Sequence, residues 1–381
     1  MIELKGITWD HSRALPPLVA AAQRYEELNP GVSIRWEKRS LHAFGHMPID
    51  QLAENFDLIV IDHPWAGFCF ELDLIHDLKP LLEPKELEAM AGDYIGPSWE
   101  SYCYEDRLMA LPIDAATPTP SWRPDLMQAM GRQPPRTMGE LIDFASTGRV
   151  VMPGFAADLF LNWSMLVEAL GKGSYTSETE IVEKETGLAA LRLLKELARH
   201  MPDGIYEWNP IRIAERMTRS DDFAYCPFAY SYSNYCRPEF TDRPLTYGSL
   251  VTLDDGRPLR SIVGGTGIAI SQRCEAVAEA LAFTKFCASA PIQQGIYTLA
   301  GGQPAHRAAW NDPELDQRCG GFFSAARQAQ EACIVRPRYH GYVPLQESGG
   351  EPIQACLQGT LTECEALDQI NQAYRASLSN H

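Results

Sequence analysis

The sequence lacks the features that would assign it to a membrane or to a nucleic acid. No stretch approaches 18 uninterrupted apolar residues, so no membrane-spanning helix is predicted. Lys and Arg number 33 against 50 Asp and Glu, which gives a net charge of −17. Nucleic acid binding depends on clustered cations that neutralise phosphates. The composition therefore argues against a nucleic acid partner.

A secretion leader is also missing from the start of the sequence. Such a leader has a basic segment, an apolar stretch and a cleavage site of small residues. Here Met1 is followed almost at once by a strand-like run from Ile2 to Trp9. We expect either that a leader has been removed or that the protein is made without one.

The ten cysteines show neither the spacing of a disulfide scaffold nor a CxxC pair, so a zinc site of the usual kind is not predicted. Cys287 follows an apolar stretch, where a free thiol acts as a small hydrophobe. This number of unpaired thiols fits a reducing compartment better than an oxidising one.

Common catalytic motifs are absent as well. The sequence contains no GxSxG nucleophile elbow, no HExxH zinc motif and no P-loop. Gly264-Gly-Thr-Gly267 is not a dinucleotide fingerprint, because the third glycine is misplaced and a strand follows instead of a helix. We therefore predict neither an enzyme nor a bound cofactor. A hydrolase or transferase on an α/β scaffold is the rival interpretation.

What the sequence does contain is an alternation of strands and helices. Ile2–Thr8, Val32–Glu37 and the apolar run Asp57–Asp62 are predicted strands. Apolar residues between Leu15 and Tyr25 recur at helical spacing, and a second helix is predicted through Ile49, Leu52 and Phe56. Strands separated by helices indicate a parallel sheet.

The pattern changes at the Pro-rich segment Leu111–Pro120, a candidate crossing into a second lobe. Helical signals dominate from Arg123 to Arg199, with a break at Gly171–Gly173, and Phe223–Tyr230 is strand-like. The chain is predicted to return through Ser261–Ile270.

Two features follow this return. Ser271 can cap the next helix, and the helical segment Pro352–Leu378 is expected to dock on one lobe. A chain of 381 residues is too long for a single domain with one compact core, so we predict two lobes. Lobe 1 comprises residues 1–113 and 261–318, and lobe 2 comprises residues 114–260 and 319–381.

Several segments, in this order and spacing, resemble the extracellular solute-binding proteins of ABC importers, in the branch of sugar and polyol receptors. The segments are Tyr25–Val32, Asp57–Asp62, Leu74–Leu82, Arg107–Ile113, Ser121–Leu126, Pro134–Leu141, Gly264–Ile270 and Gly301–Pro304. The resemblance implies a periplasmic-binding-protein-like α/β fold. Two lobes, each with a mainly parallel sheet flanked by helices, would be hinged by crossing segments.

The resemblance also implies a function. A small polar solute, such as a sugar or polyol, would be captured between the lobes as they close and delivered to the permease subunits of an ABC importer. A monomer in the periplasm is expected. The missing leader and the cysteines leave open an alternative, a cytoplasmic protein of the same fold that binds or senses a metabolite.

Ligands in such folds bind at loops that leave the carboxyl ends of strands. That rule selects the candidate ligand-binding residues Trp9, Asp10, His11, Asp62, His63, Trp65, Asp114, Thr117, Asp158, Asn162, Trp163, Tyr230, Ser231, Tyr232, Gly264, Gly265 and Gln303. Aromatic faces would cover C–H patches of the solute, while the polar side chains would replace the hydrogen bonds that its hydroxyls lose with water.

Some of these residues have structural alternatives. Asp10 could cap the helix that follows it, and Trp163 lies in an apolar helical run that suits a core. Tyr230 and Tyr232 belong to an aromatic cluster, some of whose residues could pack against one another instead of contacting a ligand.

Their chemistry also bears on the kind of ligand. His11 and His63, with Asp10 and Asp62, could suggest a metal site, but they lack an HxH or HxxxH spacing. Gly264 and Gly265 have no side chains, so they would permit a close approach of the backbone at the hinge or the cleft. The acidic loop residues favour a neutral or cationic solute and disfavour phosphates; they are Asp10, Asp62, Asp114 and Asp158.

Overall fold

The computed structural model describes residues 1–46, 49–171 and 174–379. The predicted break at 171–173 falls partly outside these residues. The chain forms two compact units. Unit 1 comprises Met1–Ala116, Val263–Cys319 and Val335–His340, and unit 2 comprises Thr117–Ile262, Gly320–Ile334 and Gly341–His381. No helix among the described residues is long and apolar enough to cross a membrane.

The strands are β1 (Ile2–Trp9), β2 (Val32–Arg39), β3 (Leu58–Ile61), β4 (Cys103–Tyr104), β5 (Arg107–Leu108), β6 (Leu111–Ala116), β7 (Ser121–Trp122), β8 (Tyr225–Cys226), β9 (Thr246–Tyr247) and β10 (Gly264–Ile270). The helices are α1 (Leu15–Leu28), α2 (Leu41–His46), α3 (Asp50–Ala53), α4 (Ala66–Glu71), α5 (Pro84–Ala91), α6 (Ser98–Tyr102), α7 (Pro124–Ala129), α8 (Met138–Ala145), α9 (Ala156–Leu170), α10 (Lys184–Ala198), α11 (Pro210–Arg219), α12 (Val277–Ala288), α13 (Ala290–Ile292), α14 (Arg307–Trp310), α15 (Pro313–Arg318), α16 (Phe322–Ala332), α17 (Tyr342–Leu357) and α18 (Glu363–Leu378). Short 3₁₀ turns include His63–Trp65 and Ser233–Cys236.

Unit 1 is built on a five-stranded sheet with the order β2-β1-β3-β10-β6. The strand β1 pairs in parallel with β2 and β3, while β10 runs antiparallel between β3 and β6. The carboxyl ends of β1, β2, β3 and β6 therefore lie at one edge of the sheet, together with the start of β10. We call this the carboxyl edge of unit 1.

The core of unit 1 forms around β3, whose residues are all buried, as expected of a strand covered on both faces. The helix α1 begins with prolines in its first turn, where amide hydrogens have no partners, and it buries Leu18, Ala22 and Tyr25. The ring of Tyr25 contacts Phe283 on α12 edge-on at 5.4 Å. The predicted strands and first helix of this unit are thus confirmed.

The predicted cap at Ser271 is wrong. The helix α12 begins six residues later, with Ala276 at its N-cap. The hydroxyl of Ser271 instead donates to the carbonyl of Ala53 at 2.6 Å, because the strand β10 ends beside α3.

Unit 2 is mainly helical. The helices α9, α10, α17 and α18 pack together, so the C-terminal segment docks on this unit as predicted. That segment is two helices, because the chain leaves α17 after Leu357 and restarts at Thr362. The side chain of Thr362 and that of Glu365 form a reciprocal capping box at the start of α18.

The sheet of unit 2 differs from the prediction of mainly parallel strands. It has the order β8-β7-β9, and both of its pairings are antiparallel. Each strand is two residues long, and the predicted strand Phe223–Tyr230 shrinks to Tyr225–Cys226. The helices α9, α10, α17 and α18 bury many apolar residues, so the core of this unit does not depend on a long sheet. The α/β fold class itself is confirmed.

Residues 335–340 lie in unit 1, although the sequence analysis assigned them to lobe 2. Arg338 attaches this segment to α6, because its Nη1 donates to the carbonyl oxygens of Glu100 at 2.8 Å and of Cys103. Where the chain enters unit 2, the hydroxyl of Thr117 donates to the carbonyl of Ile262 at 2.7 Å.

Candidate ligand-binding site

The carboxyl edge of unit 1 brings together several of the predicted residues. Trp9 ends β1, and Asp62 and His63 directly follow β3. Gly264 pairs with Ala116, and Thr266 lies opposite Asp114 across β10 and β6. Residues from four separate parts of the sequence thus meet at this edge, as the rule of strand ends predicts.

Several buried polar atoms at this edge are unsatisfied among the described residues. Thr8 Oγ1, Trp9 Nε1, His63 Nε2 and Thr266 Oγ1 have no hydrogen-bond partner in the described part of the chain. These side chains are at most 4% exposed. Leaving a buried polar group unpaired costs about 1–3 kcal/mol. A solute that supplies the missing donors and acceptors would recover this free energy.

Asp62 and His63 form a cluster with Arg336, from the 335–340 segment. Nη2 of Arg336 lies 2.7 and 2.6 Å from the two carboxylate oxygens of Asp62, and His63 Nδ1 lies 3.1 Å from Asp62 Oδ1. Burial favours the protonated carboxyl, but Arg336 and His63 outweigh it and hold the pKa of Asp62 at about 2. Burial and the charge of Arg336 lower the pKa of His63 to about 4. His63 is therefore neutral at pH 7, and its donation to Asp62 makes Nε2 an acceptor.

Asp114 is engaged by Arg13. Nε of Arg13 donates to Asp114 Oδ2 at 2.7 Å, and Nη2 bonds the other carboxylate oxygen. The side chain of Gln303 is also engaged, because its Nε2 donates to the carbonyl of Ala115 at 2.6 Å. Asp114 and Gln303 thus hold the carboxyl edge together.

Three other predicted residues of unit 1 differ in their exposure to solvent. Asp10 is exposed and pairs with Lys38 at 2.9 Å, so the proposed capping role is wrong; the N-cap of α1 is Ala14. Burial lowers the pKa of the half-buried His11 to about 4. Trp65 is buried, with its ring edge-on to Phe68 at 5.2 Å.

In unit 2, Asp158 and Asn162 lie one turn apart on α9 and so share a face of that helix. Asn162 is fully buried, and neither atom of its amide has a hydrogen-bond partner among the described residues. Asp158 is only partly buried as a residue, yet its carboxyl is desolvated. This burial, with a smaller contribution from Glu347, raises its pKa to about 8. The pair offers a solute both donors and acceptors.

Trp163, the next residue on α9, is different. Its side chain is 1% exposed, and its Nε1 donates to the carbonyl of Gly187 on α10 at 3.2 Å. The structure thus favours the core alternative for Trp163.

Tyr230 and Ser231 are adjacent residues with positive φ angles of 52° and 44°. Non-glycine residues adopt this conformation at a cost, and such positions cluster at ligand sites. The hydroxyl of Ser231 accepts a hydrogen bond from the backbone N–H of Thr117 at 3.1 Å. The N–H of Tyr232 donates to the hydroxyl of Tyr247 at 3.1 Å. These bonds support the aromatic loop from within unit 2.

Sequence reasoning missed the polar residues inside strands and the distant arginines. Thr8 carried a usable signal, since a polar side chain between apolar residues of a strand is costly to bury, whereas Thr266 stands between two glycines. In unit 2, the buried hydroxyls of Thr119 and Ser121 are likewise without a partner among the described residues. Arg336 lies 274 residues from Asp62, and no local pattern connects the two.

The family described as bacterial extracellular solute-binding protein matches residues 20–318. No curated protein matches the chain significantly.

Solved structures share the whole fold. Maltose-bound MalE3 of T. maritima is 17% identical with a TM-score of 0.84, covering 99% of this chain and 100% of its own. An ABC transporter solute-binding protein of Agrobacterium radiobacter, in complex with ribitol, is 19% identical with a TM-score of 0.84, covering 98% of each chain. One from Thermotoga lettingae, bound with α-D-tagatose, is 17% identical with a TM-score of 0.83 and covers 100% of each chain. The family match over most of the sequence, together with this fold, shows that the chain belongs to the bacterial extracellular solute-binding proteins.

Proposed function

We propose that this protein is the receptor of an ABC importer and that it binds a sugar, a polyol or a close derivative of one. Family membership supplies the role of solute binding. The class of solute is supported by the structural neighbours, which hold maltose, ribitol and tagatose. The candidate residues named above other than Trp163 are the proposed ligand contacts, together with Thr8 and Thr266.

One observation carries the proposal: the carboxyl edge of unit 1 contains buried polar atoms that have no hydrogen-bond partner in the described part of the chain. The hydroxyls of Thr8 and Thr266, the indole N–H of Trp9 and Nε2 of His63 include both donors and acceptors. A polyhydroxylated solute presents both kinds of group on each hydroxyl. The ring of Trp9 would also supply apolar contact for C–H groups.

The first experiment is a thermal-shift screen followed by calorimetry. Maltose, ribitol, tagatose and a wider panel of sugars, polyols and sugar acids are added to the purified chain. A ligand that binds only the folded protein raises its melting temperature. Stoichiometric binding of at least one member supports the proposal. Failure of the whole panel, with amino acids or peptides binding instead, contradicts it.

Isosteric variants locate the site. Thr8→Val and Thr266→Val each remove an unpartnered buried hydroxyl, so the free protein should be as stable as the wild type or more stable. Solute affinity should fall by about 1 kcal/mol or more per lost hydrogen bond. Opposite signs for stability and affinity are the signature of a ligand-facing hydroxyl.

A matched control is Thr284→Val on α12. The hydroxyl of Thr284 is equally buried but donates to the carbonyl of Ala280 at 2.8 Å. This variant should lose stability and keep its affinity. If Thr8→Val and Thr266→Val behave like Thr284→Val, these residues do not contact the solute.

The partner, the location and the absence of catalysis belong to the same proposal. We expect the protein to act as a monomer outside the cytoplasmic membrane, to deliver its solute to permease subunits, and to leave that solute chemically unchanged. Cell fractionation with cytosolic and periplasmic markers tests the location. Cys364 is an exposed free thiol, so labelling it in intact cells with a reagent that does not cross the cytoplasmic membrane gives a second readout of the compartment.

A further inference from the structure

Arg39 lies at the carboxyl edge of unit 1 and forms no ion pair with any residue that the structure describes. It is the last residue of β2 and pairs in register with Trp9 at the end of β1. Its Nη1 donates to the carbonyl of Ala43 at 3.2 Å. Its Nε and Nη2 are buried and have no hydrogen-bond partner in the described part of the chain.

The neighbours of Arg39 supply no negative charge. Its Cζ lies 5.2 Å from the centre of the Phe44 ring, and that ring lies 4.8 Å from the ring of Trp9. Asp10 follows Trp9, but its carboxylate pairs with Lys38. Burial alone lowers the pKa of Arg39 to about 10, without a contribution from any carboxylate. We call Arg39, Trp9 and Phe44 the arginine site.

The free polar atoms of the arginine site are all donors. Two guanidinium nitrogens of Arg39 and the indole nitrogen of Trp9 have no partner among the described residues, and all three are donors. A desolvated charge without a partner is costly, and a carboxylate or phosphate fits the guanidinium fork with two parallel hydrogen bonds. An oxyanion is therefore the group that this site would recognise.

The acidic loop residues do not oppose an anion as strongly as their sequence suggests. Asp10, Asp62 and Asp114 are each paired with a cation of unit 1; the cations are Lys38, Arg336 and Arg13. Arg39, in contrast, has no counter-ion among the described residues. The three aspartates of unit 1 therefore no longer argue for a neutral or cationic solute.

We propose that the arginine site binds an oxyanion of the solute, so that the receptor takes an acidic sugar, with a carboxylate as the expected anion. This inference rests on the proposed function and narrows its substrate class. Trp9 contributes a donor and an apolar face, and the ring of Phe44 packs against the guanidinium.

The test is calorimetry with four probes: glucose, gluconate, glucuronate and glucose 6-phosphate. The proteins are the wild type, Arg39→Met, Arg39→Lys and a control, Arg35→Met, which removes an exposed cation from the same strand. A wild-type preference of at least about 30-fold for one acidic probe over glucose is expected. Arg39→Met should lose this preference, Arg39→Lys should retain part of it, and Arg35→Met should change it less than about threefold.

The outcomes separate the two proposals. Preference for gluconate or glucuronate supports a carboxylate, and preference for glucose 6-phosphate supports the same site with a phosphate. Tight binding of glucose or of other neutral sugars, unchanged in Arg39→Met, overturns the oxyanion site and leaves the receptor function intact. Failure of these four probes and of the whole panel of sugars, polyols and sugar acids overturns both. Arg39→Met should not be less stable than the wild type, because it removes an unpaired buried charge, so lost binding cannot be attributed to unfolding.

Discussion

Arg13 and Asp114 form a buried ion pair within unit 1, with the guanidinium bonded to both carboxylate oxygens. The side chains are 4% and 0% exposed, and they are 101 residues apart in sequence. The pair ties the loop after β1 to the end of β6. It therefore fixes the geometry of the carboxyl edge, where the candidate ligand groups lie.

Removing one partner of this pair should be strongly destabilising. Arg13→Met leaves the Asp114 carboxylate buried without its cation, which we expect to lower the free energy of unfolding by about 3–5 kcal/mol. The double variant Arg13→Met/Asp114→Leu should recover much of this loss. Urea unfolding at pH 7 measures both. The exposed pair Arg24–Glu27 is the control, and Arg24→Ala should cost less than about 1 kcal/mol. Equal losses for the two pairs would contradict this interpretation.

The Asp62–Arg336 pair predicts an acid-dependent loss of stability. The pKa of Asp62 is held at about 2 in the folded protein, below its ordinary 3.8. The stabilisation is therefore complete above pH 4 and is lost as the pH falls through about 2, by roughly 2 kcal/mol in total. In Arg336→Met the pKa of Asp62 should no longer be lowered by folding. The difference in free energy of unfolding between the wild type and this variant should therefore narrow from pH 5 to pH 2. Urea unfolding across that range checks the sign, and a gap that stays constant refutes the assignment.

Asp158 predicts the opposite pH dependence. Its pKa is raised to about 8, so the folded protein holds a proton that the unfolded chain releases near pH 4. The wild type should therefore lose stability as the pH rises from 4 to 8, by at most about 1.4 kcal/mol per pH unit. Asp158→Asn has no proton to lose, so its stability relative to the wild type should grow up to pH 8 and then level off.

The control for Asp158 is Asp368→Asn, which changes an exposed aspartate of the same unit. It should alter the free energy of unfolding by less than about 0.5 kcal/mol throughout this range. If Asp158→Asn shows the same flat profile, the Asp158 carboxyl is ionised and solvated in the free protein.

The sequence was sufficient where the signal is local. The run Asp57–Asp62 contains four consecutive apolar residues, and it forms the buried strand at the centre of the unit 1 sheet. The periodic segment Leu188–Leu197 lies within α10. The strand ends then placed Trp9, His63 and Asp114 at one edge, because parallel strands share their carboxyl ends.

The sequence was insufficient where partners are distant or elements are short. Two-residue strands such as Tyr225–Cys226 carry no periodicity, and pairing with β7 defines them. Whether an aspartate is free or paired depends on cations far away, as Arg336 shows for Asp62. The sequence does not single out Arg39 for the same reason, since the absence of a counter-ion among the described residues is a property of the fold.

Gly265 supports one further prediction about the carboxyl edge. Its φ is +101°, a conformation that side chains disfavour, and a Cβ at this position would collide with the carbonyl oxygen of Asp114. Gly265→Ala should therefore lower the free energy of unfolding by roughly 2–4 kcal/mol, from backbone strain and overpacking together. Gly256 separates the two effects, because its φ is +87° and a Cβ there would meet nothing within 4 Å. Gly256→Ala should cost only about 1 kcal/mol, the strain alone. Equal costs in urea unfolding would mean that β6 and β10 separate freely at this point, and the carboxyl edge would then be too loose to hold a preformed site.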